Sequence, residues 1–447
     1  MEARIFAEMQ NNSTSQILTR LGFSSLNPMQ EAFRDAAAQN KEVILLGNTG
    51  SGKTLAFLLA VTDRISPGQK GTQAMIIVPT RELALQTEDV FRKMGTGIRA
   101  TCCYGGHKRE IEENNLLDAP TLIIGTPGRL GDHIRRGSIV TDRIETLVLD
   151  EFDKSLEAGF HEEIAFLFSQ LPALRMKILT SATEAVELPD FLDLKAPARL
   201  NFLNGESVNG NLEVTVYQSG EKDKIEALYD LLCTIGARRT VIFCNHRDAV
   251  ERTHALLKEK GIVSVFYHGA MEQAEREMAL FRFRSGAADF LVTTDLASRG
   301  LDIPFVRFII HYHLPATEDV FIHRNGRTAR MEESGTAVVL VGPEEELPEF
   351  VAADTPAFKT LEGAPLPEKP KWGVLYFSAG KKDKVNKVDI VGFLAQKGQL
   401  KKDDIGLIEV KDFFAFAAVR KNRINITLTN IRNEKIKGRK IRIDLAK

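Results

Sequence analysis

The 447-residue sequence has no apolar stretch approaching the roughly 18 residues that cross a bilayer. Its opening, Met1 to Leu21, carries acidic side chains and lacks the basic, apolar, small order of a secretory leader, so none is expected. Cysteine is scarce. Cys102, Cys103, Cys233 and Cys244 show no C-x-x-C spacing, which argues against a disulfide framework or a cysteine metal knuckle. They are expected to be reduced and unreactive, as in a cytoplasmic protein. An excess of one charge is also missing: 59 Lys+Arg face 60 Asp+Glu. That balance conceals an asymmetry, because residues 371–447 hold 19 basic and 8 acidic side chains and the remainder holds 40 and 52. A basic module on an acidic body points to a polyanion partner for the module. Hydrophobic content of 43% and charged content of 27% are those of a globular chain, and the length allows about three domains.

What is present begins with Gly47-Asn48-Thr49-Gly50-Ser51-Gly52-Lys53-Thr54. The octet fits G-x-x-x-x-G-K-[ST], follows an apolar strand candidate (Val43–Leu46) and opens an apolar helix candidate (Leu55–Val61). Its glycines let backbone N–H groups converge on phosphate oxygens at a helix start. Lys53 supplies a point charge for the β- and γ-phosphates, and the Thr54 hydroxyl suits Mg²⁺. These residues point to a bound nucleoside triphosphate.

Short apolar runs then alternate with helical patterns: Val43–Leu46, Ala74–Val78, Ala100–Tyr104, Leu122–Gly125, Thr146–Leu149 and Ile178–Thr180. Continuous apolar strands spaced by helices predict a parallel sheet covered on both faces. Residues 204–211 read as a linker, after which the alternation restarts with Thr240–Cys244, Ser264–Tyr267, Phe290–Thr293, Phe308–His311 and Thr336–Val341. The expectation is two doubly wound α/β domains in tandem, over 1–203 and 212–345. A Pro-, Glu- and Ala-rich stretch then reads as a linker, 346–370, with a short helix in it. Residues 371–447 follow the order βαββαβ of a ferredoxin-like α+β module: strand Trp372–Ser378, helix Val388–Gln396, strands Ile405–Val410 and Phe413–Val419, helix Ile424–Asn433, strand Lys440–Leu445.

The apolar run Thr146–Leu149 ends in Asp150-Glu151-Phe152-Asp153. Asp150 is placed to hold Mg²⁺ largely through water, and Glu151 to orient and deprotonate an attacking water. With this tetrapeptide the chain resembles the DEAD-box RNA helicases over about residues 5 to 345, with Phe where the family usually reads Ala. The resemblance implies two RecA-like domains that bind ATP and Mg²⁺ and act on RNA. It makes Gln30 the reader of the adenine edge, with Phe23 and Phe6 packing nearby; a glutamine amide donates and accepts at once. Thr80-Arg81, Gly105-Gly106 and Thr126, Gly128 and Arg129 become RNA-backbone contacts of the first domain. Ser181 and Thr183 belong to a coupling segment, with a Ser181–Asp153 hydrogen bond expected and His323 sharing the coupling role. In the second domain, Asn245, Arg276, Thr293 and Thr294 would face RNA, and Gly300 and Asp302 the nucleotide. Arg327 and Arg330, on one face if the segment is helical, would be arginine fingers for the γ-phosphate.

Four positions depart from the family pattern: Leu26, Phe152, Asn325 and Ala329. None removes a charged or phosphate-contacting group, and Phe152 is expected to fill a slot against the second domain. The departures leave room for an alternative, an ATP-regulated RNA clamp with negligible turnover.

The basic module resembles the DbpA-like RNA-binding domain, on Leu375-Tyr376-Phe377-Ser378-Ala379-Gly380-Lys381-Lys382-Asp383 and Asp404-Ile405-Gly406-Leu407-Ile408-Glu409. Phe414 and Phe416 lie two apart on a strand, so both rings face one side, either as a base-stacking platform or as core. Lys381, Lys382 and Lys384, with the cluster around Lys437 and Arg439, are the expected phosphate contacts. By the likeness, the whole is an ATP-dependent RNA helicase that separates short duplexes on a structured, ribosomal RNA.

Overall fold

The computed structural model describes residues 14–106, 109–157, 159–184, 188–203, 212–295, 306–328 and 334–446. It divides into two compact units, one up to Gly210 and one carrying the rest of the described chain.

In the first unit a helix over 14–21 (α1) precedes α2 (Pro28–Gln39), β1 (Glu42–Gly47) and α3 (Lys53–Arg64). There follow β2 (Ala74–Ile77), α4 (Arg81–Met94), β3 (Ala100–Cys103), α5 (Arg109–Leu116), β4 (Leu122–Gly125), α6 (Pro127–Arg135) and β5 (Thr146–Leu149). The unit closes with α7 (Phe152–Glu157), α8 (His161–Ser169), β6 (Met176–Ser181) and β7 (Ala198–Phe202). The strands lie in the order β3-β4-β2-β5-β6-β1-β7, and every pairing is parallel. Successive side chains of a strand alternate faces, and here both faces are apolar. Val43, Leu45, Ile76, Ile124 and Val148 pack in one cluster, and Ile44, Leu46, Ile77, Ile123 and Leu149 in the other. That is why the central strands read as unbroken apolar runs.

The second unit opens with β8 (Leu212–Gln218), α9 (Ile225–Ile235), β9 (Thr240–Phe243), α10 (Arg247–Glu259), β10 (Ser264–Tyr267) and α11 (Gln273–Arg284). β11 (Phe290–Thr293), β12 (Phe308–His311), α12 (Glu318–Asn325) and β13 (Gly335–Val341) complete a parallel sheet of order β10-β11-β9-β12-β13-β8. The strands β7 and β8 have no counterpart in the sequence reading. β7 alternates half-buried and exposed residues and β8 is mostly half-buried, with its polar Thr215 buried, so neither forms the fully buried apolar run of a central strand.

The segment expected to hold a short helix forms none among residues 343–370. It lies instead along β8, where Val216 N–H donates to Pro356 (2.9 Å) and Phe358 N–H to Val216 (2.7 Å).

The C-terminal module comprises β14 (Trp372–Phe377), α13 (Lys387–Gln396), β15 (Ile405–Val410), β16 (Ala415–Arg420), α14 (Lys421–Ile431), a small hairpin of β17 (Lys435–Ile436) and β18 (Arg439–Lys440), and β19 (Ile443–Leu445). Its antiparallel sheet runs β15-β16-β14-β19. One face packs Leu375, Phe377, Ala415 and Ala417 on Ile390, Leu394, Ile424 and Ile431 of the two helices.

The four cysteines are free, and burial pushes each thiol upward, so they are inert filler. Among the described residues no helix is long and apolar enough to cross a membrane.

A buried pair in the second unit gives a pH test. His311 is fully buried, its Nε2 lies 3.0 Å from Asn325 Oδ1, and its ring stacks on Phe321. Burial, helped by the Arg324 guanidinium, lowers its pKa from 6.5 to about 3. The unfolded chain therefore binds one more proton than the folded one between these values, and stability falls as pH drops from about 6.5 toward 3. Against His311→Gln, the wild type should lose up to about 1.4 kcal/mol per pH unit in that window. Urea unfolding at pH 7, 6 and 5 checks this.

Candidate nucleotide and RNA sites

The glycine-rich loop leaves β1 at Gly47 and enters α3 at Lys53. Gly50 and Gly52 have φ of 83° and 93°, in the left-handed region that glycine tolerates. A Cβ on Gly52 would also collide with Gln30 Nε2. The Gln30 amide donates to the Gly52 carbonyl (3.2 Å) and accepts from Asn27 N–H (3.0 Å), while Asn27 Nδ2 donates to the Ser51 carbonyl (2.9 Å). The expected adenine reader thus braces the loop, and Phe23, seven residues before it, stays 43% exposed, a ring available for stacking. Lys53 is buried, and its ammonium donates to the carbonyls of Gly47 and Asn48.

Two strands away β5 ends at Asp150, which is 3% exposed. Its carboxylate accepts from the Thr180 hydroxyl and from Glu151 N–H (3.1 Å). Burial raises the Asp150 carboxyl above the ordinary value, and Thr180, Lys53 and the Glu151 amide pull it back. Glu151 itself has φ of 47°, a left-handed backbone that costs a non-glycine residue roughly 1–2 kcal/mol. Its N–H reaches both Asp150 and Thr180 Oγ1 (3.3 Å), which fixes that turn. Oxygen donors at Asp150 and Thr54 are a set that suits Mg²⁺.

The coupling segment differs in one contact from the expectation. Ser181 Oγ donates to the Thr183 carbonyl (2.7 Å) and accepts Thr183 N–H (2.9 Å), and it is Thr183 Oγ1 that donates to Asp153 (3.1 Å). Ser181 braces Thr183, and Thr183 holds the carboxylate. The residue two positions on reaches farther than the one in the strand.

Among the first domain's expected RNA contacts, Thr80 caps α4 by accepting Leu83 N–H. Arg81 packs over Gly106, where a Cβ would strike its guanidinium. Arg129 lies 3.4 Å from Glu112, a 1%-exposed carboxylate that also accepts Tyr104 N–H (2.8 Å) and lies 2.6 Å from His133 Nε2. Glu112 therefore ties the Gly105-Gly106 loop to the Thr126–Arg129 segment. With Cys103 and His133 it has the ligand spacing of a metal cluster, but the Arg129 guanidinium already supplies a positive charge 3.4 Å from the same carboxylate.

In the second domain Arg324 is fully buried and joins three strand ends. It pairs with Asp295 (2.5 Å), donates to the His313 carbonyl (2.8 Å) and donates to Asn245 Oδ1 (2.8 Å). Thr293 is buried, its hydroxyl given to the Tyr267 carbonyl (2.8 Å), so it ties strands together rather than facing outward; Thr294 is half-buried. Arg276 and His323 are buried as well. Arg327 is buried and lies in a turn beyond α12, which ends at Asn325. Phe6, Gly300, Asp302, Ala329 and Arg330 lie outside the described residues, as does 204–211.

The C-terminal sheet's second face is covered. Phe416 is 1% exposed, with its ring 5.2 Å from that of Phe281 on α11, and Val374 and Ala418 join the same cluster. Arg284–Glu409 (3.0 Å) and Lys411–Glu277 (3.6 Å) flank it. Core packing, not base stacking, is the role of Phe416, and half-buried Phe414 leans on it and on Tyr376. Lys381 and Lys382 are exposed, but Lys437 pairs with Asp389 (2.8 Å) and Arg439 with Asp383 (3.3 Å).

A DEAD/DEAH box helicase family model matches residues 27–191, a helicase conserved C-terminal domain residues 223–332, and a DbpA RNA binding domain residues 374–445. The ATP-dependent RNA helicase DbpA of Escherichia coli (strain K12) is 33% identical over 443 residues, covering 96% of each chain. That of Bacillus subtilis (strain 168) is 30% identical over 461 residues, again 96% of each. The chain belongs to the DEAD-box ATP-dependent RNA helicases. Among solved structures, S. cerevisiae Dbp5 bound to RNA and ADP BeF3 is similar with a TM-score of 0.66 and 27% identity, over 74% of this chain and 87% of that one.

Within this DEAD-box chain the departure at Phe152 is a packing change internal to the first domain. The ring is 3% exposed in the cluster of Leu46, Leu149 and Leu156, so it needs no slot elsewhere. Asn325 is matched to His311, as described above. Thr180, Glu112 and Arg324 escaped the sequence reading. A threonine inside an apolar strand and a glutamate on a polar helix carry no local signal; Arg324 adjoins His323 and had a motif to mark it.

Gly52→Ala should leave the fold intact, by circular dichroism, while weakening ATP binding at least about tenfold, since both the left-handed φ and the Gln30 contact forbid a Cβ. Titration with a fluorescent ATP analogue checks it.

Proposed function

We propose that this helicase couples ATP binding and hydrolysis to local separation of RNA duplexes, and that its basic C-terminal module holds it on a structured, ribosomal RNA. The observation that carries the reading is the gathering of Lys53, Asp150, Glu151 and the Thr183-held Asp153 at the ends of β1, β5 and β6, which are adjacent in the sheet. Ligands of open α/β sheets bind at that edge. Lys53 would neutralise the β- and γ-phosphates, and the Glu151 carboxylate, set by its fixed turn, would orient and deprotonate the attacking water. Thr54 and Asp150 would hold Mg²⁺, largely through water, and the ion would supply positive charge at the phosphate oxygens. Arg327 and Arg330 would add arginine fingers from the second domain, with Gly300 and Asp302 on the nucleotide; a finger is worth about 10³–10⁵ in rate. Asn245, Arg276, Thr294, Thr80, Arg81, Gly105, Gly106, Thr126, Gly128 and Arg129 would meet the RNA backbone, as small groups, hydroxyls and guanidinium suit phosphate and sugar. S. cerevisiae Dbp5, one of the similar solved structures, is bound to RNA and ADP BeF3. The clamp alternative loses its motive at Phe152, which packs inside its own domain.

RNA-stimulated ATPase activity is the expected readout. Glu151→Gln should lower kcat by about 10²–10⁴ while ATP still binds, as loss of a general base does. Lys53→Ala should weaken nucleotide binding itself. Turnover that survives both substitutions would refute the mechanism.

Deleting residues 371–447 should weaken binding to structured RNA and leave basal ATPase in place. It should also lower the melting temperature of the second domain, because it uncovers Phe281; calorimetry separates that loss from the loss of RNA affinity.

A further inference from the structure

Much of the module's positive charge is spent internally. Lys437, Arg439, Lys397, Arg442 and Lys411 all face carboxylates. Among the described residues, a different group does not, or does so weakly. Where β14 begins and β16 ends, a cavity of about 440 Å³ is lined by Lys369, Lys371, Arg420 and Lys421, with Pro370, Asn422 and a single carboxylate, Asp404. Lys371 also has Glu368 at 3.9 Å, with both side chains largely in solvent, a separation and exposure at which pairing is worth little.

The wall of this cavity is rigid. The Arg420 guanidinium lies 4.3 Å from the ring of Trp372, and its Nε donates to the Asp403 carbonyl (3.3 Å). Trp372 is itself pinned. A Cβ on Gly406 would meet its ring at 3.0 Å, and one on Gly286 of the preceding domain would meet it at 3.5 Å. A guanidinium held over an indole ring with donors to spare is preorganised for a phosphate, and loses less entropy on binding one than a free lysine does.

We propose that this cavity is an RNA phosphodiester subsite, in which Arg420 makes the oriented contact and Lys371 and Lys421 supply charge. The proposal deepens the reading of the module as an RNA anchor and rests on it. Lys381 and Lys382 follow the other end of β14, roughly 20 Å away at about 3.3 Å per strand residue. With the aromatic face closed by Phe281, RNA would run across the module's ends and the two clusters would hold it at two points.

The test uses the full-length chain, total bacterial ribosomal RNA as probe, and Trp372, the only tryptophan in the sequence. Binding is measured over a range of salt for wild type, Lys371→Gln/Lys421→Gln, Arg420→Gln, and a control, Lys397→Gln/Arg442→Gln, that removes the same charge as the lysine pair from ion-paired sites. The lysine-pair variant should lose about tenfold or more in affinity and about two units of the log K against log salt slope, and the control much less. RNA should shift Trp372 emission with the midpoint of binding. Arg420→Gln should abolish that shift, and the lysine pair, which leaves the stack intact, guards against a folding artefact. An affinity loss no greater than the control's, or RNA binding with unchanged Trp372 emission, overturns the proposal. So does inorganic phosphate at constant ionic strength shifting the emission without being displaced by RNA, which would mark a small-anion site. If deletion of 371–447 leaves RNA affinity unchanged, the anchor reading itself fails, and that outcome is distinct from loss of this subsite alone.

Discussion

A sheet whose strands all run one way brings every strand's C-terminal end to a single edge, and each half of this helicase's engine is built on that constraint. In the first domain the loop after β1, the carboxylates after β5 and the hydroxyls ending β6 come from segments spread over more than a hundred residues, yet β5, β6 and β1 are neighbours in register. In the second domain Asn245, Asp295 and His313 follow β9, β11 and β12, again neighbours. Apolar strands buried on both faces keep this edge fixed, because a slip of one residue would exchange the two cores.

On that edge the polar groups hold one another before they hold anything else. Asp150 rests on Thr180, Asp153 on Thr183, Gln30 on the glycine loop, and Arg324 on Asp295, Asn245 and a carbonyl. A buried charge without partners is costly, so each functional carboxylate or guanidinium needs its own support. The supporting residues limit rotamers and aim the group. Glu112 does this for two elements at once, since one carboxylate reaches both the Tyr104 amide and Arg129.

The C-terminal module shows how one aromatic face can be reassigned. Its strand order and helix placement would leave a sheet surface open, and its Tyr376, Phe414 and Phe416 would suit stacked bases. Phe281 of the preceding domain closes that surface instead, so the module is packed against its neighbour by the very rings that elsewhere read RNA. Charge at the module's ends is what stays in solvent.

The sequence by itself determined the chemistry and most of the fold. A glycine octet, a carboxylate pair closing an apolar strand, and the spacing of apolar runs are local signals, legible because backbone conformation and burial constrain each residue directly. Edge strands β7 and β8 were hidden because half-buried strands keep polar residues and do not run apolar. Tertiary structure alone decided which side chain supports which. That Thr183 rather than Ser181 holds Asp153, that Phe152 turns into its own domain, that Lys437 and Arg439 are neutralised, and that Phe416 is covered all depend on residues distant in the chain. Pairing of buried charges and rings is fixed by three-dimensional proximity, and no periodicity in a linear sequence encodes it.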